Sequence, residues 1–139
     1  MDIKQISSNS LSFIGDAIYT LKVREHFVTS NYQASKSLQK MCNSYNCAKG
    51  QTKVFNKLKD SDFFNSEELD VFKRGRNHIT HIPKNGDRLS YETASGLEAI
   101  CGYLYLTNQK RLDVFFKEVF KGELLWAVLF MERIHFLKH

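Results

Sequence analysis

One proline, Pro83, is the only one in the 139 residues, and runs of β-branched residues are scarce. Both absences argue against a sandwich or barrel, whose many turns and strands draw on those residue types. There is no CxxC among the three cysteines, Cys42, Cys47 and Cys101, and no secretory hydrophobic segment at the N-terminus. That usage points to a reducing compartment, the cytosol. The longest apolar run, LLWAVLFM at 124–131, falls far short of the roughly 20 residues needed to cross a bilayer. No GxSxG elbow occurs, so the common serine-hydrolase template is missing. His78 and His81 have no third His or Cys at zinc spacing and read as loop histidines. GLEAICG, at 96–102, lacks a phosphate-binding glycine fingerprint.

What is present is apolar material for one core: 42% of the chain is hydrophobic and 13% of the chain aromatic, with a net charge of +5. Helical periodicity runs through most of the chain. Ser7 to Ser10 supply capping side chains, and Leu11, Ile14, Ile18 and Leu21 then recur at helical spacing, predicting a helix over 11–29. Ser12, Asp16 and Tyr19 or Thr20 would share a second face. Residues 35–59 form a second helical region, expected to break near Gly50, with Leu38, Met41, Cys42 and Tyr45 inward before it and Val54, Phe55 and Leu58 after it. Asn65 and Glu68 read as a capping box opening a helix that stops near Gly75. Residues 74–88 are then a long basic loop, and loops of that length are uncommon in compact domains unless they bind something. Further helices are expected over 91–107, 112–120 and 123–137. Gly96 and Gly102 weaken the first of these, since glycine costs roughly 1 kcal/mol against alanine in a helix, so a close approach by a neighbouring helix is expected there. The fold class is all-α, a single domain.

Positive charge is grouped. Residues 35–59 hold six lysines and no acid, and Lys49, Lys53 and Lys57 follow at i, i+4 spacing as a ridge on one face. The loop adds Arg74, Arg76, Asn77, Lys84 and Asn85. Two such segments suit a phosphate backbone, which rewards clustered cations through counterion release; a solvated lysine face is the plainer alternative for the ridge. Asp16 and Glu98 stand apart, each among small and apolar residues. Spacing alone reads each as a surface or salt-bridge residue and does not bring them together. Were they to meet, they would repel unless a cation lay between them, and Mg²⁺ commonly takes one or two carboxylates and keeps waters for the rest.

FIGDAIY at 13–19 resembles the signature helix of ribonuclease III catalytic domains. Together with RGRN at 74–77, PKN at 83–85 and LEAICGYLYL at 97–106, in the family's order, it is similar to the bacterial mini-ribonuclease III branch over about residues 3 to 121. The resemblance implies an all-helical catalytic domain over 1–121, with 122–139 an added tail packing on the domain or dimer. It implies a cytoplasmic homodimer that cuts both strands of double-stranded RNA, precursor large-subunit ribosomal RNA by analogy, without a separate RNA-binding domain. Asp16 and Glu98 match the family's metal ligands and would hold Mg²⁺, with Mn²⁺ as an expected substitute. Phe13 matches an aromatic that crosses the dimer interface, although a core phenylalanine fits the sequence too. Ser12 and Ser95 stand where full-length enzymes carry carboxylates, which leaves less charge for a second cation and suggests that these hydroxyls orient metal-bound waters instead. The rivals are a non-catalytic RNA-binding module whose acids pair with arginines, and a ribosome-associated helical interaction domain.

Overall fold

The computed structural model describes residues 1–30, 35–76, 84 and 86–122. Expectations for Asn77, His78, His81, Pro83, Asn85 and the 123–137 helix therefore lie outside the described residues. A short 3-10 turn, Ile3–Gln5, precedes six helices: α1 (Ser8–Thr29), α2 (Ser35–Asn46), α3 (Ala48–Asp60), α4 (Ser66–Arg76), α5 (Arg88–Thr107) and α6 (Gln109–Phe120). No strand occurs among the described residues, and the all-α reading holds.

Starts are written in capping side chains. Ser7 accepts from the Ser10 amide at α1, Asp87 from Leu89 at α5 and Asn108 from Arg111 at α6, each satisfying one amide that the first helical turn leaves without a partner. These caps start α5 and α6 three residues earlier than apolar periodicity predicted, and α4 runs on through Arg76. At α4 the capping box forms as predicted: the Glu68 amide donates to Asn65 Oδ1 at 2.8 Å, and the Asn65 amide to Glu68 Oε1 at 3.0 Å.

Helix α5 is the centre, packed against α1, α4 and α3. Leu97, Ile100, Cys101 and Leu104 are buried along it as predicted. Its glycines are points of close approach. A Cβ on Gly96 would lie 2.4 Å from the Phe72 ring of α4, and one on Gly102 would lie 2.1 Å from the Leu11 carbonyl oxygen of α1.

Two expectations are corrected. The inward face of α1 is Leu11, Gly15, Tyr19, Val23 and Phe27, whereas Leu21 is exposed and Ile14 and Ile18 lie at the margin. A stripe counted in large apolar residues overlooks Gly15, which packs directly on the α5 backbone. The break between α2 and α3 falls at Cys47 rather than Gly50. Cys47 caps α3 by accepting the Gly50 amide at 3.3 Å, and Gly50 lies inside the first turn, where any Cβ would meet the Ser44 carbonyl oxygen at 2.0 Å.

Among the described residues one charged pair lies inside. Glu68, 1% exposed, takes two bonds of 2.8 Å from Arg111 of α6. The Arg111 guanidinium also donates to the Phe63 carbonyl at 2.7 Å and sits 4.0 Å from the centre of that ring. The pair ties α6 to the start of α4. Removing only the cation leaves a carboxylate buried without its partner, so Arg111→Met should cost about 3 kcal/mol in urea unfolding, the low end for such pairs because Arg111 keeps some exposure. A loss below about 1 kcal/mol would show the pair to be no more than a surface ion pair in effect.

Candidate functional site

Asp16 follows Gly15 on α1, and Glu98 lies midway along α5. Where these helices cross, a Cβ on Gly15 would be only 1.7 Å from the Glu98 carbonyl oxygen, so the backbones meet and the two acids come together. Burial raises the Glu98 carboxyl from its ordinary 4.5 to about 8, helped by the charge of Asp16 and a hydrogen bond to it. The Gln51 amide works against that rise: its Nε2 donates to Glu98 Oε2 at 3.3 Å. Asp16 is exposed and Glu98 half-buried, so the pair sits at the mouth of the site.

Ser12 and Ser95 stand beside the acids, one turn before Asp16 and Glu98 respectively. Ser12 Oγ donates to the Ser95 carbonyl at 2.9 Å, with the two hydroxyls 3.4 Å apart, and Ser95 Oγ donates to the Gly75 carbonyl at 3.0 Å. Each hydroxyl proton is thereby engaged by backbone, and what remains toward the site is acceptor lone pairs. The same bonds tie α1, α5 and the end of α4 together at the site.

The basic residues fall into separate groups. Lys49 and Lys53 are exposed on α3 and Lys84 is exposed on its own. Lys57 leaves the expected ridge. Its ammonium reaches the carbonyls of Glu118 and Lys121 at 3.0 and 2.8 Å, closing the C-terminal end of α6, and burial pulls its pKa down. Arg74 and Arg76 part company too. Arg76 lies over the Phe72 ring and lines a cleft with Lys59 and Lys73, while Arg74 lines a hollow with Lys4, Glu67 and Asp70. Phe13, at 83% exposure, is no core residue, and it shares the outer face of α1 with Leu21 and Val28, 56% and 62% exposed.

Two features escaped the sequence. A groove of about 930 Å³ between α1 and α2 carries Arg24, Lys36 and Lys40 and no carboxylate, and it begins at Thr20, one turn beyond Asp16. Its cations come from two helices, so no single stretch displays them. Gln51, 3% exposed, could have been found: it keeps helical step with Val54, Phe55 and Leu58, a polar side chain on an apolar stripe.

Residues 9–109 match the family model of the ribonuclease III domain. The chain is 36% identical to the Mini-ribonuclease 3 of Enterococcus faecalis over 110 residues, 78% of this chain and 83% of that one. It is 33% identical to the Mini-ribonuclease 3 of Staphylococcus aureus, covering 84% and 89% of the two chains. A crystal structure of a protein from Fusobacterium nucleatum superposes with a TM-score of 0.76 at 31% identity, covering 88% of this chain and 98% of that one. The family match spans nearly all of α1, which brings Asp16 to the crossing, and the whole of α5, which brings Glu98: the chain belongs to the ribonuclease III family, among its mini-ribonuclease III members.

Proposed function

We propose that this protein is a divalent-metal-dependent endoribonuclease that cuts double-stranded RNA as a homodimer, leaving 5′ phosphate and 3′ hydroxyl ends, with precursor large-subunit ribosomal RNA as its natural target. The observation that carries this reading is the contact between Asp16 and Glu98, two carboxyls from distant parts of the chain held together although each opposes the other's charge.

The donor set fits a hard cation. Among the described residues no group of three or more His, Cys, Asp or Glu side chains converges, which suits Mg²⁺ or Mn²⁺ held by the two carboxylates, with water filling the remaining positions. When bound, such an ion supplies charge to offset the phosphate and makes water more acidic. The acceptor lone pairs of Ser12 and Ser95 suit the orientation of water near the acids. Lys49, Lys53, Arg76 and Lys84, with the Arg24, Lys36 and Lys40 groove, offer cations for a backbone on either side of the cut. Asn77 and Asn85 remain expected RNA contacts on sequence grounds. Duplex RNA is recognised chiefly through its shape and phosphates, so broad sequence tolerance follows. The exposed apolar face of α1 around Phe13 supports self-association there. Three free thiols are at home in the cytoplasm, and no described helix is long and apolar enough to cross a membrane.

Cation catalysis contributes several kcal/mol and each 1.4 kcal/mol is tenfold, so Asp16→Asn or Glu98→Gln should cut cleavage of long duplex RNA in Mg²⁺ by at least about 100-fold. Both variants should still shift duplex RNA on a gel. Cleavage retained by either purified variant would refute the site, and RNA binding without any cleavage by the unaltered protein would favour the non-catalytic module.

The raised Glu98 carboxyl also has a pH signature. The folded protein holds that proton more tightly than the unfolded chain, so the stabilisation is complete below about pH 4.5 and disappears as pH rises through about 8. In divalent-free buffer the unaltered protein should lose stability across that window more steeply than Glu98→Gln, and Mg²⁺ should flatten the difference. Equal slopes would mean the two carboxyls are not coupled in solution. For the dimer, Phe13→Asp should convert sedimentation at micromolar concentration from dimer to monomer and lower cleavage with it. A monomeric unaltered protein would exclude that interface.

A further inference from the structure

We infer that Gln51 is a positioning residue for Glu98, holding its carboxylate against Asp16 and so setting the affinity of the site for a divalent cation; this rests on the cation reading above. Asp16 repels the ionised Glu98 side chain, and a flexible carboxylate at the mouth of a site has water to turn to. Something must keep it facing its neighbour. Gln51 is placed to do this from a third helix, α3: its Nε2 donates to Glu98 Oε2 at 3.3 Å and to the Asn46 carbonyl at 3.0 Å. The second bond matters as much as the first. A terminal amide torsion is broad when free, and anchoring to the backbone at the end of α2 fixes the plane of this one. At 3% exposure, little water competes for either bond.

The chemistry of the side chain fits the task. An amide is neutral, so it donates to the carboxylate without cancelling the negative charge that a cation needs, as lysine or arginine would. Packing alone does not require glutamine here, because methionine has similar length and no polar atoms. Gln51 Oε1 is buried without a hydrogen-bond partner, and so is Asn46 Oδ1 close by; an acceptor left this way ordinarily destabilises a protein. A position chosen for stability would not carry that orphan.

The test measures cation binding without RNA. Mn²⁺ affinity of the full-length protein, read by electron paramagnetic resonance of the free ion, should fall about 10-fold or more in Gln51→Met, the range seen when a ligand loses its hydrogen-bonded partner. Cleavage by this variant should need more Mg²⁺ but regain most of its rate at saturation. If Gln51→Met does not fold, Gln51→Asn keeps an amide, draws it back by one methylene and should shift the same affinity. An affinity within twofold of the unaltered protein, accompanied only by a lower unfolding temperature, would make Gln51 structural and overturn the proposal. If the unaltered protein itself binds no Mn²⁺ that Asp16→Asn abolishes, the cation reading fails first, and the proposal falls with it.

Discussion

Asp16 and Glu98 are held in contact, by a hydrogen bond while Glu98 keeps its proton and against mutual repulsion once it is ionised, and much of the surrounding structure can be read as the means of holding them there. Helix α1 delivers one acid and α5 the other, and the backbones touch where they cross because Gly15 and Gly102 put no side chain between them. The Ser12 and Ser95 hydroxyls pin α1, α5 and the last turn of α4 around the same point. Gln51 adds α3. Four helices thus converge on two carboxyls, and their burial of Glu98, with the nearby charge of Asp16, raises its proton affinity.

Further from the site, charge is used in two different ways. The Glu68–Arg111 pair and Lys57 serve the scaffold: one joins α4 to α6, and the other closes the carbonyl end of α6 from α3. Other cations are exposed, Arg24 on α1, Lys36 and Lys40 on α2, Lys49 and Lys53 on α3 and Arg76 at the end of α4 among them. A count of lysines cannot separate these uses, because it is the geometry of the acceptor, a helix terminus or a phosphate, that assigns each one.

The helical class, the capping box at Asn65 and Glu68 and the inward stripe of α5 were legible in the sequence because each is a local pattern with a local cause. The two acids were legible only through the resemblance of FIGDAIY and LEAICGYLYL to a known family; nothing in their spacing brings residues 16 and 98 together. The inward face of α1 was missed because Gly15 has no hydrophobicity to contribute, although its smallness is what packs. Cys47 as the helix break was missed because cysteine is a rare cap. Lys57 and Arg111 were unreadable for a common reason: their partners lie more than 40 residues away in the chain.

Replacing glycine by alanine within helices is among the more dependable ways to make a protein hardier, since it restricts the unfolded chain and favours helical backbone. At Gly15 and Gly102 that route is closed, because the added methyl would land on the carbonyls of Glu98 and Leu11. Since Gly15 adjoins one acid and abuts the other, heat tolerance and chemical competence are coupled at this crossing. Selection for a sturdier version of this chain would have to act elsewhere.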